Sequence, residues 1–253
     1  MKKLERSTTN FNDANVVEQY TVYPLIHKVV SKPQLIKFIG AVANQRVLDF
    51  GCGTGHITFE LSRRGAICVG VDPSRRFIEA AQTFYPNLDF RLIRRSRLEG
   101  FRQRSFDKVI MSLVLPNVET KQEFKMLFRE ASRVLKPQGE LIFSTLHPLM
   151  VRNLKDSFRE VMIPTKMNYF STGAKFRNTA LLTDNTFITF TNTHWNLEDI
   201  SSELAANDLV IVAIKEPKMS NNRSWSVLEN SLHTPYVICF KARKIAKSAN
   251  RRG

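Results

Sequence analysis

Three glycines follow an apolar strand and an aspartate in the segment VLDFGCGTGHIT, which spans residues 47–58. Asp49 lies within the apolar run, and the glycines occupy positions 51, 53 and 55. Residues without a β-carbon permit a turn that side chains would block, and a helix that begins after such a turn presents free backbone N–H groups. The segment therefore predicts a strand, turn and helix that hold a small molecule against their backbone.

The spacing of these glycines separates two classes of ligand. A dinucleotide fingerprint, G-x-G-x-x-G, would need a glycine at position 56, where this chain has His56. Asp49 ahead of the turn disfavours a pyrophosphate and favours an ammonium or sulfonium group. Asp72 ends the next apolar strand, and its two oxygens can accept hydrogen bonds from both hydroxyls of a ribose. A ribose next to a cationic group indicates S-adenosylmethionine as the ligand.

Four segments, in order, resemble the class I S-adenosylmethionine-dependent methyltransferases, particularly the small-molecule type. They read VLDFGCGTG (47–55), GVDPS (70–74), SFDKVIMSLVL (105–115) and FREASRVLKPQGELIFS (128–144), within a similar region of residues 45–146. An ordered set of four is more specific than one glycine turn. The resemblance implies transfer of a methyl group to a small organic acceptor. The residues expected to contact the cofactor are Asp49, Gly51, Cys52, Gly53, Gly55, Asp72, Pro73, Ser96 and Ser112.

One position departs from the family pattern. After the third strand the family's small-molecule members carry an acid, followed by a small residue, and the acid accepts from the adenine amino group. The matching positions here are Arg95 and Ser96. Because a guanidinium has no acceptor, three alternatives remain: backbone near Ser96 and Arg97 reads the adenine, Arg95 stacks on the ring, or cofactor binding is weakened.

Methyl transfer from a sulfonium is an in-line displacement, so the protein chiefly aligns and desolvates the two partners. No catalytic residue is obligatory on that ground. His147, just past the fifth strand, is the candidate general base, and His194 is a second; the alternative for each is a capping or packing residue, which is the commoner role of a histidine. The three cysteines show no metal-ligand spacing, so no metal site is predicted.

The elements that must position these residues alternate between strand and helix, which is typical of a mostly parallel sheet covered on both faces. The sequence predicts a Rossmann-like α/β fold with seven strands. Strands are expected near 46–50, 67–71, 89–93, 107–113, 140–146, 208–214 and 234–240.

Residues 1–240 are expected to form one methyltransferase domain. The cofactor-binding core of this domain is expected to span residues 45–146, and residues 196–240 are expected to form the C-terminal part of the sheet. By the resemblance, residues 1–44, around Tyr20 and Tyr23, form a helical cap over the cofactor, and 147–195 are an inserted lid over the substrate after the fifth strand. Residues 241–253 are basic, lack periodic apolar positions and are expected to be a disordered tail.

The formal charge of +15 favours an anionic partner, and much of it lies at 91–104 and in the tail. One alternative function is therefore an RNA methyltransferase that uses the basic tail. Because of Arg95, a second alternative is a non-catalytic binding protein of the same fold. The chain lacks the signature N/D-P-P-aromatic of base-amino methyltransferases, because its fourth strand ends in LVLPNV. No apolar run approaches membrane-spanning length, so a cytoplasmic location is expected. The sequence does not specify the oligomeric state.

Overall fold

The computed structural model of the chain describes residues 9–22, 31–149, 161–162, 167–181, 184, 186–218 and 235–245. Seven strands form the main sheet, and three more form a small separate sheet. The strands of the main sheet are β1 (Arg46–Phe50), β2 (Ile67–Asp72), β3 (Asp89–Leu92), β4 (Phe106–Ser112), β5 (Leu135–Leu146), β9 (Leu209–Lys215) and β10 (Val237–Lys244).

The order across the main sheet is β3-β2-β1-β4-β5-β10-β9. The first five strands of this order are parallel, whereas β10 is antiparallel to both of its neighbours. The strand order reverses between β1 and β4, and a ligand crevice is expected there, outside the carboxyl ends of the strands. The predicted Rossmann-like α/β sheet is confirmed.

Helices cover both faces of the main sheet. They are α1 (Ala14–Val22), α2 (Lys32–Ile39), α3 (His56–Ser62), α4 (Arg75–Phe84), α5 (Lys121–Val134) and α6 (Leu197–Ala206). Helices α2 and α3 bury apolar side chains against one face, where Val47, Ile110 and Ile142 point. Helices α5 and α6 pack on the opposite face. This division follows from the alternation of side chains along each strand.

Two boundaries differ from those expected. Strand β5 begins at Leu135, directly after α5, because Leu135 already pairs with Phe106 of β4. After a shift in the register, regular pairing continues from Lys108 and Glu140. Strand β10 runs to Lys244, so the tail predicted to be disordered from residue 241 was placed too early. Lys241 and Ala242 are held in this strand by pairing with both β5 and β9. Residues 246–253 lie outside the described part of the chain.

The segment 147–195 contains its own antiparallel sheet of β6 (Val161–Met162), β7 (Lys175–Leu181) and β8 (Phe187–Thr193). Apolar and polar residues alternate at the start of β8, and Ile188 and Phe190 are its buried apolar positions. These two residues pack with Phe11 and Tyr20 of the N-terminal segment. The roles of the two segments as lid and cap stay predictions.

Among the residues described, no helix combines the length and the apolar composition that crossing a bilayer requires. The longest of these helices, α5, has 14 residues.

We expect Phe143→Ala to lower the free energy of unfolding by about 3–5 kcal/mol, measured by urea denaturation. Phe143 is fully buried, and its ring stacks on Phe240 at 4.9 Å and meets Phe128 edge-on at 5.7 Å. Phe84→Ala is the matched control, because 53% of Phe84 is exposed. Equal effects of the two substitutions would contradict this description of the core.

Candidate functional site

The glycine turn lies at the carboxyl end of β1, and its three glycines have different surroundings. All three have positive φ, between 53° and 83°. A β-carbon at Gly51 would lie 2.5 Å from Val114 Cγ2, and one at Gly55 would lie 2.5 Å from Phe90 Cζ. A β-carbon at Gly53 would meet nothing within 4 Å. Gly51 and Gly55 are therefore required for packing, whereas Gly53 borders the open cleft.

Asp72, at the carboxyl end of β2, is tied to this turn through its side chain. Its Oδ2 accepts from the Gly53 amide at 2.9 Å, and its Oδ1 accepts from the Ser74 amide at 2.8 Å. Burial raises the pKa of this carboxyl to about 6, although these two hydrogen bonds oppose the rise. Each carboxylate oxygen keeps a second lone pair, so Asp72 can still accept from a ligand in the cleft that it lines.

Asp49 lies deeper, within β1, and is 1% exposed. Its Oδ2 accepts from the Thr58 hydroxyl at 2.7 Å. Its Oδ1 is buried and has no hydrogen-bond partner among the described residues. Burial raises the pKa of this carboxyl to about 6, against the opposing effects of Thr58 and the Lys32 ammonium. A buried carboxylate with an unused oxygen is suited to a cationic ligand group.

A small chamber beside Asp49 contains further polar groups that sequence reasoning missed. It is lined by Ser31, Lys32, Asp49, Cys52 and His56. The Ser31 hydroxyl is buried without a described hydrogen-bond partner. Burial lowers the pKa of Lys32 to about 7, although attraction to Asp49 and Glu60 opposes this effect. The motif Ser-Lys-Pro indicates a helix start but no ligand, so only the packing of α2 beside β1 identifies Lys32.

The main cleft, about 380 Å³ in volume, opens next to this chamber. Gly51, Gly53, Asp72, Pro73 and Ser112, all predicted as contacts, line it together. Of the other predicted contacts, Cys52 lies in the small chamber, Gly55 packs under the turn, and Ser96 is buried behind the cleft wall. Burial raises the pKa of the Cys52 thiol well above its usual range, so this thiol stays protonated.

The N-terminal segment 9–22 lies across the mouth of the cleft. The Ser74 hydroxyl donates to the Phe11 carbonyl at 2.6 Å, and the Arg76 guanidinium donates to the Asn12 carbonyl at 2.6 Å. The Phe11 ring lies 5.6 Å from Phe77 of α4 and 6.5 Å from Phe190 of β8. Tyr20 borders the cleft, and Tyr23 lies outside the described residues.

A second, smaller recess continues from the cleft toward the inserted sheet. Its walls include Phe11, Tyr20, Phe190 and Tyr236, together with Asn178. The Asn178 amide donates to the Tyr236 hydroxyl at 3.3 Å, while its Oδ1 is buried without a hydrogen-bond partner among described residues. The recess, about 30 Å³ in volume, thus adds aromatic walls and one unused polar atom to this end of the cleft.

His147, the candidate general base, does not face the cleft. Its Nδ1 accepts from the Leu149 amide at 3.2 Å, so the ring proton resides on Nε2, which lies 2.9 Å from the Glu216 carboxylate. With both nitrogens engaged and 3% of the residue exposed, this histidine is in a structural position. Among the described residues, His147 does not line the main cleft, and its action as a general base stays a prediction.

His194, the second candidate, is hydrogen-bonded through one ring nitrogen. Its Nε2 lies 2.7 Å from the Tyr169 carbonyl, and its backbone pairs with residues 173 and 174 beside β7. Burial lowers the pKa of this imidazole, so the ring is neutral at pH 7. Its contacts are those of a residue that fixes the end of the inserted sheet.

Comparison with known proteins gives an independent identification of this region. Residues 48–143 match the family described as "Methyltransferase domain". The demethylmenaquinone methyltransferase of Tropheryma whipplei is 37% identical over 109 residues, which cover 42% of this chain and 44% of that protein. The chain thus matches less than half the length of this relative.

Solved structures show the same fold. An S-adenosylmethionine-dependent methyltransferase from Mesorhizobium loti superposes with a TM-score of 0.64 at 22% identity, over 83% of this chain and 96% of that one. Another from Clostridium acetobutylicum has a TM-score of 0.65 at 16% identity, over 92% and 98% of the two chains. The predicted resemblance to class I methyltransferases is confirmed.

We expect Asp49→Asn to raise the free energy of unfolding at pH 8 by roughly 1–3 kcal/mol, because it removes a buried charge while an amide oxygen can still accept from Thr58. The pKa of the folded carboxyl, about 6, lies above the value of 3.8 for an exposed aspartate. Its ionisation therefore lowers stability as the pH rises through this interval. The gain should disappear near pH 3, where the carboxyl is protonated in both states.

Chemical denaturation at both pH values measures this effect. Asp89→Asn is the control, because Asp89 is a partly exposed acid paired with Arg91. A loss of stability in Asp49→Asn at pH 8 would contradict the assignment of Asp49 as a destabilising buried charge.

Proposed function

We propose that this chain, whose residues 48–143 form a methyltransferase domain of the class I, S-adenosylmethionine-dependent type, transfers a methyl group to a small organic acceptor. The observation that carries the proposal is the pair of buried carboxylates at adjacent strand ends. Asp49 keeps an unused oxygen, and Asp72 is fixed by the glycine turn. A cation and a ribose are the groups that these two carboxylates fit.

The small chamber fits the amino-acid end of S-adenosylmethionine. The unused Asp49 oxygen suits the ammonium group, and Lys32 with the Ser31 hydroxyl suits the carboxylate. Asp72 suits the ribose hydroxyls, while Gly53 leaves room for close approach of the ligand. Gly51, Pro73 and Ser112 line the same cleft and complete the proposed set of contacts.

When bound, S-adenosylmethionine supplies a methyl group already activated on a sulfonium. The chain's own residues then align the acceptor and exclude water. Phe11 and Tyr20 lie over the cleft, and Phe77 and Phe190 hold them there through ring contacts. This apolar cover desolvates the space between the cleft and the aromatic recess, which promotes displacement on a cationic donor.

The aromatic walls at this end of the cleft support a small organic acceptor. The protein from Tropheryma whipplei and a ubiquinone biosynthesis O-methyltransferase from Rattus norvegicus are named for small-molecule pathways, which agrees with this proposal. The alternative hypothesis of an RNA acceptor was based on the basic tail at 241–253. The described residues add no observation in favour of that hypothesis. The non-catalytic alternative would be excluded by methyl transfer to any acceptor.

Calorimetric titration with S-adenosylhomocysteine tests the cofactor site directly. We expect binding by the unmodified chain and affinity at least about tenfold lower in Asp72→Asn, since hydrogen bonds to a charged group would be lost. Asp89→Asn should bind as the unmodified chain does, because Asp89 pairs with Arg91 rather than lining the cleft. Absence of binding by the unmodified chain would refute the proposal.

We expect Lys32→Met to weaken S-adenosylhomocysteine binding by about tenfold or more, because a charged hydrogen bond to the ligand carboxylate would be lost. 5′-Methylthioadenosine lacks the amino-acid end, so its affinity should change little. Lys37→Met, an exposed position on the same helix, is the control. Equal losses for the two ligands would show that Lys32 acts on the fold rather than on the carboxylate.

A further inference from the structure

The position at which relatives of this type place an acid for adenine is occupied by Arg95. Arg95 is exposed, has a φ of 49° and lines the main cleft. A guanidinium only donates hydrogen bonds, so it cannot accept from the 6-amino group of adenine. If the cleft takes an adenine nucleoside, as proposed above, an acceptor must come from another element.

Glu123 is placed to supply that acceptor. It belongs to the first turn of α5 and lines the cleft together with Arg95. Its Oε1 lies 3.5 Å from the hydroxyl of Ser96, the residue next to Arg95. Ser96 is 5% exposed, so this contact connects the glutamate to a fixed part of the loop after β3.

The two oxygens of Glu123 have separate surroundings. Oε2 accepts from the Glu119 amide at 3.4 Å, while the Glu123 amide donates to the Thr120 hydroxyl at 3.1 Å. The first contact and the Ser96 contact orient the carboxylate, and the Thr120 hydroxyl caps the start of α5. Oε1 accepts only the long Ser96 contact among the described hydrogen bonds, so one lone pair remains for a ligand.

None of the described basic side chains forms an ion pair with Glu123. Lys175, on β7 across the cleft, is attracted to Glu119 and Glu123, but its Nζ donates to the Thr193 hydroxyl at 2.9 Å. No ion pair within 4.0 Å involves Glu123 in the described part of the chain. The carboxylate is therefore held close to the loop, and Oε1 keeps a lone pair that can accept from a ligand.

We propose that Glu123 accepts a hydrogen bond from the 6-amino group of the cofactor's adenine and so replaces the acid that Arg95 displaced. This inference rests on the proposed function. It assigns recognition of the base to α5 instead of the loop after β3. The site should then discriminate between a 6-amino purine and a 6-oxo purine, because a 6-oxo group would place an acceptor against the carboxylate.

The test compares the affinities of S-adenosylhomocysteine and S-inosylhomocysteine, which differ at position 6 of the purine. We expect the unmodified chain to favour the adenosyl compound by about tenfold or more, and Glu123→Ala to reduce this ratio to within about threefold. The two ligands differ only at the 6-position and in the proton on N1 of the purine, so a general loss of fold or of cleft shape would weaken both and leave the ratio unchanged.

Two further variants make the assignment specific. Glu119→Ala removes the neighbouring acid of the same cleft wall and should keep the ratio. Adding Arg95→Asp to Glu123→Ala should restore the preference for the adenosyl compound, because the acid then returns to the position that it has in the family's small-molecule members. An unchanged ratio in Glu123→Ala, or a double variant that fails to recover it, would overturn the inference while leaving the cofactor site intact. Failure of S-adenosylhomocysteine to bind at all would instead overturn the proposed function, and this inference with it.

Discussion

Two carboxylates buried at the ends of neighbouring parallel strands are the constraint on which the site depends. Asp49 and Asp72 are 1% and 7% exposed, and burial raises the pKa of each to about 6. Holding them ionised at neutral pH requires compensating donors, which Thr58 and the amide of Gly53 supply. The glycine turn therefore has two functions: it lets a ligand approach, and it satisfies Asp72 before any ligand is present.

These carboxylates also explain why the surrounding elements lie where they do. Helix α2 places Lys32 in the field of Asp49, and this attraction partly offsets the cost of burying the ammonium. A site that keeps unused polar atoms inside the protein is less stable than an apolar one, but its groups are already oriented when the ligand arrives. The apolar layers on both faces of the sheet stabilise the fold against this penalty.

The sequence predicted the parts of the site that are local in the chain. The glycine turn, Asp49 and Asp72 are recognisable because strand, turn and acid follow each other within a few residues, and the main strands followed from their apolar runs. Lys32 and Glu123 were missed because their roles depend on contacts with segments distant in the chain. The contact of His147 with Glu216 could not be predicted for the same reason, because the two residues are 69 positions apart in the chain.

The N-terminal segment is hydrogen-bonded to two different parts of the protein. It is bonded to the start of α4 through Asn12, and the Thr9 hydroxyl accepts from the Thr191 amide of β8 in the inserted sheet. The same short stretch of chain thus bridges the part that would hold the methyl donor and the part that would hold the acceptor. We expect exchange of the two small molecules to be coupled, since lifting this bridge exposes both compartments at once. Turnover would then be governed by how often the bridge releases, rather than by the speed of the displacement itself.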